Sequence, residues 1–304
     1  MATIKSYFSL VKFSHTIFAM PFAMIGFFLG IYYAPGNISL NLHKGWLLLD
    51  QEGRYQYLVL LVLVVLCMIF ARSAAMGFNR WLDKNFDALN PRTALREIPA
   101  GIISANKAIW FVAFNCIAFI ICAGMINSLC FYLSFVALLV VLGYSYTKRF
   151  TPLCHLILGL GLSLAPIGAY LAVTGQFALL PVLFSFAVIF WVSGFDIIYA
   201  LQDVDFDRSQ HLHSMPVWLG KIKALRISEW LHFLSTACVV FAGIYGNFHI
   251  WYWLGIAIFT GMLVYQHSIV KPNDLRRVNI AFMTANGIAS VVFAFFVITD
   301  LVIR

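Results

Sequence analysis

Charge is what this chain has least of: Asp, Glu, Lys and Arg make up 11% of its 304 residues, against 62% hydrophobic ones, and the mean hydropathy is +0.89. Soluble domains carry roughly 25% charged residues, so the composition excludes a soluble globular class and places the chain in lipid. Cysteine patterns are lacking too. Cys67, Cys116, Cys122, Cys130, Cys154 and Cys238 nearly all sit in apolar runs, with no Cys-x2-Cys pair among them, which excludes a disulfide framework and a cysteine zinc site. The net charge of +8 does not indicate a nucleic-acid partner, because the bases are scattered over short loops between apolar runs. A bundle whose outer face meets acyl chains is not divided by length as a soluble protein is, and residues 1–304 are expected to form one membrane-embedded domain.

A crossing helix needs about 20 mostly apolar residues. Nine candidates are centred near residues 17–34, 57–76, 108–126, 129–145, 153–173, 180–199, 228–245, 248–267 and 279–299. Lys5 and Lys12 before the first run superficially resemble a signal peptide, but the run is too long for one and is kept as a span. With the N-terminus inside, only Lys44, Arg54 and Arg304 of the 20 basic residues fall on the outer side. The positive-inside rule turns that asymmetry into an orientation. The expectation is an all-α polytopic protein of the cell inner membrane, with nine transmembrane helices and with the loops after spans two, four, six and eight in the cytoplasm.

Half of the twelve acids lie in two clusters just past spans two and six. In the first, Asn79, Asp83 and Asp87 recur every four residues and share one face if span two continues as a helix. Two carboxylates about 4 Å apart repel by roughly 4 kcal/mol at an effective dielectric of about 20. A divalent cation reverses that sign. Mg²⁺ takes one or two carboxylates and completes its octahedron with water and phosphate oxygens, which suits an Asn-x3-Asp-x3-Asp face shared with a diphosphate. In the second cluster Asp196, Tyr199, Asp203 and Asp207 share a face, while Asp205 points away, toward a supporting or capping role. Asp83-Lys-Asn-Phe-Asp87 and Asp203-Val-Asp-Phe-Asp207 resemble each other, as an internal duplication would produce. The alternative is a pair of solvated acidic loops.

Asn79-x3-Asp83-x3-Asp87 and Asp196-x2-Tyr199-x3-Asp203-x3-Asp207 resemble the two signature motifs of the UbiA superfamily of intramembrane prenyltransferases. The likeness extends to the span count and to Tyr146-Thr147-Lys148-Arg149, which is similar to the family's basic loop after span four. It implies a UbiA-type bundle opening sideways to lipid, in which two Mg²⁺ ions bridge a polyprenyl diphosphate to Asn79, Asp83 and Asp87 on one side and to Asp203 and Asp207 on the other. Lys148 would neutralise a phosphate oxygen, with Arg149 and Tyr146 beside it; the plainer alternative for both bases is a topological anchor. Arg72, two turns before Asn79, matches an Arg that in relatives meets the aromatic acceptor, and its alternative is an ion pair with Asp196. The implied reaction ionises the allylic diphosphate, after which an aromatic ring attacks at carbon, Asp196 orients or deprotonates the phenol and Tyr199 shields the cation.

The run from Ala165 to Gly175 resembles the hydroxybenzoate branch, which implies 4-hydroxybenzoate as acceptor in ubiquinone biosynthesis. Val11-Lys12-Phe13-Ser14-His15-Thr16-Ile17 departs from the Arg-x-Asp-Lys-Pro-like segment of that branch, which leaves a dihydroxynaphthoate of a menaquinone route open. From another class, a cation-coupled transporter also uses membrane acids on a pseudo-repeat, but near the midplane rather than at span ends. A CDP-alcohol phosphotransferase lacks its Asp-Gly-x2-Ala-Arg signature here. His211 and His213 do not share a helical face and suggest no metal site; His15 is expected at the interface. Gly26-x3-Gly30, with Gly159, Gly161 and Gly168, has the small-residue pattern of close helix packing.

Overall fold

Inside a bilayer every backbone donor and acceptor must be satisfied within the chain, so the long apolar runs have little choice but to be helices. The computed structural model describes residues 4–11, 18–33 and 51–303, and the side chains of the last stretch from residue 55 onward. Lys12, His15, Lys44, Asp50, Glu52, Arg54 and Arg304 thus lie outside the described side chains. Helices α1 (Ile4–Leu10), α2 (Met20–Tyr33), α3 (Gln51–Leu82), α4 (Lys84–Leu89), α5 (Ala105–Ile126) and α6 (Ser128–Thr147) form the first part of the chain. They are followed by α7 (Cys154–Thr174), α8 (Leu179–Ala200), a 3-10 turn (Leu201–Asp203), α9 (Val204–Ser209), α10 (Met215–Tyr245), α11 (Ile250–Ile269), a π-helical stretch (Ile280–Ala285) and α12 (Asn286–Ile303). Among the described residues no strand occurs beyond an isolated bridge between Lys271 and Asp274.

Seven of these helical stretches are long and apolar enough to cross a membrane. The other two expected spans fall on α2, of which 14 residues are described, and on α11, whose Trp, Tyr, Gln and His residues dilute its hydropathy. The all-helical polytopic expectation therefore holds, while the count of nine is not established. A second difference concerns α10, which begins at Met215 rather than near residue 228 and bends at Gly220, where φ is 79° and ψ 161°. Lys221, Lys223 and Arg226 hid that opening stretch from a hydropathy reading.

Local chemistry sets the turns. Asn127 closes α5 and opens α6: its N–H donates to Ala123 O, its Oδ1 accepts from Cys130 N at 2.8 Å, and its Nδ2 donates to Leu171 O of α7 at 3.0 Å. Gly175 ends α7 in the left-handed region, with φ of 64°. The centre of the bundle is an aromatic cluster of Phe22, Phe184, Trp191, Tyr252, Phe259 and Phe293, all fully buried. Trp191 Nε1 donates to Asn286 Oδ1 at 2.8 Å, and Asn286 Nδ2 donates back to Ala281 O and Phe282 O, which supports the π-helical stretch.

The glycines of α2 pack against α7. A Cβ on Gly26 would stand 2.0 Å from Pro166 O, and one on Gly30 2.7 Å from Val173 Cβ, whereas nothing lies within 4 Å of one on Gly168. Gly26→Ala is therefore expected to destabilise the bundle by about 1–3 kcal/mol and Gly168→Ala to be tolerated, as read from thermal unfolding in detergent; equal midpoints for the two would refute this packing.

Candidate active site

Both acidic segments leave their long helices in the same way. At Asp83, α3 gives way to the six-residue α4, and at Asp203 the 3-10 turn gives way to the six-residue α9, with φ, ψ of −92°, 9° and −106°, 7° at the two aspartates. The i to i−4 bonds nevertheless persist through the first junction, Asp83 N to Asn79 O at 2.9 Å and Asp87 N to Asp83 O at 2.8 Å. That continuity keeps Asn79, Asp83 and Asp87 on one side. Together with Asp196, Tyr199, Asp203 and Asp207 they line a single polar cavity of about 280 Å³.

Every carboxylate in that cavity has a nitrogen partner. Asp83 Oδ1 is 2.9 Å from Arg149 Nη2, Asp87 Oδ1 is 2.6 Å from Arg96 Nη1 and Asp87 Oδ2 is 3.9 Å from Arg80 Nη1. Asp203 is held by the Arg92 guanidinium through both of its oxygens, Asp207 Oδ1 is 2.8 Å from Lys148 Nζ, and Asp196 Oδ2 is 2.6 Å from His155 Nδ1. Two loops deliver most of these cations. The connection between α4 and α5 is itself pinned, with Thr93 Oγ1 donating to Asp87 O at 3.0 Å and Asn90 Nδ2 to Asp203 Oδ1 at 3.3 Å.

Electrostatics at the rim follow from this pairing. Burial raises the Asp83 carboxyl above its ordinary range, and Arg149 only partly offsets it. For Lys148 burial pulls the ammonium down, but Asp207 outweighs it and the net shift is upward. An anion whose charge the protein leaves under-stabilised gains from a divalent cation. The donor set fits one: all the candidates are hard oxygen donors, and Asp87 Oδ2 and Asp207 Oδ2 are buried without a hydrogen bond of good geometry. Among the described residues no three acids, histidines or cysteines converge into a ready-made cage, so any ion here must share its shell with another ligand.

Other expected residues are placed differently. Arg72 lines not this cavity but an apolar one of about 330 Å³ beside it, where its Nε is buried without a hydrogen-bond partner; Met76, Tyr144 and Leu158 line both. The alternative of an Arg72–Asp196 ion pair is not what forms, because His155 takes Asp196. Tyr146 is exposed and lines neither cavity; its ring carries the Arg149 guanidinium at 5.5 Å. Lys148 and Arg149 serve as ion-pair partners inside the cavity rather than as loose surface anchors. Tyr199 accepts a hydrogen bond from Arg92 Nη1 at 2.8 Å and stacks on Phe282 at 4.2 Å between ring centres. Asp205 is exposed.

Arg80, Arg92, Arg96, Asn90 and His155 were not expected in the site. Arg92 and Arg96 each follow a motif aspartate, Asp83 and Asp87, by nine residues, a signal that counting them only as topological charges concealed. Removing a partner from a buried pair leaves an uncompensated charge. Asp87→Ala, which strands Arg80 and Arg96, is expected to cost about 3–5 kcal/mol, against about 0.5 kcal/mol or less for Asp205→Ala. Unfolding midpoints of the purified variants check this, and equal midpoints contradict it.

The profile of the UbiA prenyltransferase family matches residues 45–288. The chain is 31% identical over 239 residues to a 4-hydroxybenzoate octaprenyltransferase of Francisella tularensis subsp. novicida, covering 78% of this chain and 84% of that protein. It is 29% identical over 258 residues to the protein of that name from Nitrosospira multiformis, covering 84% and 87%. Among solved structures, an apo UbiA homologue from Aeropyrum pernix K1 superposes with a TM-score of 0.76 at 26% identity, over 95% of this chain and 97% of that one. A homologue from Archaeoglobus fulgidus bound to DMAPP and Mg²⁺ superposes at 0.70 with 18% identity, over 98% and 100%.

Proposed function

The chain belongs to the UbiA prenyltransferase family, and from that premise we propose that it transfers a polyprenyl group from its diphosphate to a ring carbon of an aromatic acid. The observation that carries this reading is the adjacency of the two cavities: a charged one bearing both acidic motifs, and an apolar one within the bundle, sharing Met76, Tyr144 and Leu158. A lipid diphosphate has the same two halves. The acids at helix ends, rather than at mid-bundle, also favour this over a cation-coupled transporter.

In this reading one membrane-embedded domain spans residues 1–304 in the inner membrane, with the polar mouth cytoplasmic. Asn79, Asp83, Asp87, Asp203 and Asp207 would hold Mg²⁺, the ion bound together with DMAPP in the Archaeoglobus homologue. Mg²⁺ there supplies charge neutralisation of the diphosphate as it becomes a leaving group. Lys148 and Arg149, already at the rim, add fixed positive charge for the phosphate oxygens. Tyr199 lines the charged cavity, its ring stacked on Phe282 and carrying the Arg92 guanidinium at 5.2 Å, and its part in shielding the allylic cation requires Arg92 to leave that ring. Asp196 takes the proton of the acceptor hydroxyl. Arg72 offers a guanidinium whose Nε has no hydrogen-bond partner, a fork suited to an acceptor carboxylate in apolar surroundings.

The names of the curated relatives favour 4-hydroxybenzoate as acceptor, in quinone biosynthesis. The departure at residues 11–17 keeps a dihydroxynaphthoate as the alternative acceptor. Membranes given radiolabelled polyprenyl diphosphate and a panel of aromatic acids decide between them. Label is expected in one acid with Mg²⁺ and in none with EDTA, and a solute gradient without any prenylated product would establish the transporter instead. Asp83→Ala and Asp203→Ala are each expected to abolish turnover, and near-normal rates would remove the metal assignment. Arg72→Ala is expected to raise the acceptor KM about 10- to 100-fold, the worth of a charged hydrogen bond; an unchanged KM makes Arg72 structural.

A further inference from the structure

Asp196 is the one acid of the cavity whose partner is not a permanent cation, and that partner is the least exposed of them. His155, in the first turn of α7, is 2% exposed, while the Asp196 side chain at the end of α8 is 23% exposed and lines the cavity. The imidazole is held at both of its nitrogens. Its Nδ1 is 2.6 Å from Asp196 Oδ2 and its Nε2 accepts the backbone N–H of Met215 at 3.3 Å. Met215 opens α10, so its N–H is one of the first-turn donors that no helical carbonyl reaches.

That backbone donor decides the tautomer. A ring nitrogen that accepts a hydrogen bond carries no proton, so the imidazole proton sits on Nδ1 and is donated to Asp196. The alternative, a bare Nδ1 against a protonated Asp196, would be open to an isolated pair. It would put the proton of the neutral ring on Nε2, directed at the Met215 N–H. The start of α10 thus selects the form of His155 that keeps Asp196 a carboxylate.

We propose that His155 is a positioning residue that holds Asp196 by Oδ2, in carboxylate form, and leaves Oδ1 to act as base toward the acceptor hydroxyl. This rests on the prenyl-transfer reading above. The step balances as follows. The hydroxyl proton moves to Asp196 Oδ1 as the allylic C–O bond breaks, with its electron pair leaving on the diphosphate. The ring carbon ortho to the one that bears the oxygen forms the new C–C bond. The ring then loses its C–H proton to the departing diphosphate and regains the proton from Asp196 at oxygen, so Asp196 ends as it began. His155 keeps its proton throughout.

His155→Leu and His155→Asn test this in purified, lipid-reconstituted protein. The amide nitrogen of Asn is as many bonds from Cβ as Nδ1 is, so Asn keeps a donor for Asp196 where Leu does not. His155→Leu is expected to lower kcat by about 100-fold, the lower end of the range of base catalysis, with the KM for polyprenyl diphosphate within about twofold of wild type. His155→Asn is expected to recover most of the loss. A fall in diphosphate affinity equal to the fall in kcat, or equal defects in Leu and Asn variants, overturns the proposal in favour of a structural role. Nitrogen-15 NMR of the wild-type protein, with the His155 ring signal traced from the backbone amide of the single Cys-His pair in the sequence, needs no substrate and no variant and so covers the case in which the variants do not fold. A neutral ring protonated at Nδ1 is expected, and a doubly protonated or Nε2-protonated ring overturns it. If the wild type prenylates no aromatic acid, the functional reading itself fails, an outcome distinct from wild-type turnover with an unaffected His155→Leu.

Discussion

The constraint on which this architecture depends is charge compensation: carboxylates brought to the end of an apolar bundle must each be matched by a nitrogen. Unmatched, each would carry a desolvation penalty of several kcal/mol. The bundle meets this mainly with two connections, the helices adding Arg80 and His155. The segment between α4 and α5 reaches back with Arg92 to Asp203 and Arg96 to Asp87, and the turn after α6 supplies Lys148 to Asp207 and Arg149 to Asp83. Each connection therefore ties together parts of the chain that the helices alone leave apart. Under the proposed function, the same pairing would let the site receive a metal and a diphosphate together. Cations and anions already alternate around the cavity, so a substrate bringing both signs can exchange partners without leaving a charge exposed to lipid.

The acid segments are two versions of one device. Each long helix ends one residue before, or in a single turn ending at, an aspartate with φ, ψ near the bridge region, and then resumes as a six-residue helix. The break changes direction without dropping the four-residue spacing. Acids on both sides of it remain on the cavity side, while Asp205, off that spacing, is exposed. The similarity of residues 83–87 to 203–207 in sequence thus coincides with a similarity of backbone, as a duplicated half would have.

What was legible in the sequence is what periodicity encodes. Acids recurring every three or four residues after an apolar run must share a face, and apolar runs of sufficient length must be helices, so the motifs and most spans follow from residue order alone. Arg92, Arg96 and His155 were not legible in this way. Arg92 and His155 find their partners 111 and 41 residues away, and no local pattern states where a loop returns or which helices become neighbours; the nine residues from Asp87 to Arg96 are local but exceed the three- and four-residue spacing of a helical face. Hydropathy misjudged α10 because its first turns carry Lys221, Lys223 and Arg226, and it gives α11 too little weight because Trp and Tyr count as weakly apolar though they bury large surfaces. The Arg72–Asp196 alternative failed for a related reason: a helical face fixes direction, but not which of two adjoining cavities the side chain enters.

The π-helical stretch from Ile280 to Ala285 has a consequence for how this protein can change over evolutionary time. A π-turn holds one more residue than the α-turn it replaces, so the last helix contains a spare position. Deleting it would let the backbone relax into an ordinary helix and leave Asn286 to Ile303 in register with α11. What would be lost is local: the ring of Phe282 would rotate off Tyr199, and the carbonyls now capped by Asn286 would return to the helix ladder. A lineage could in this way remodel the aromatic wall of the charged cavity by an indel of a single codon, with the rest of the scaffold untouched.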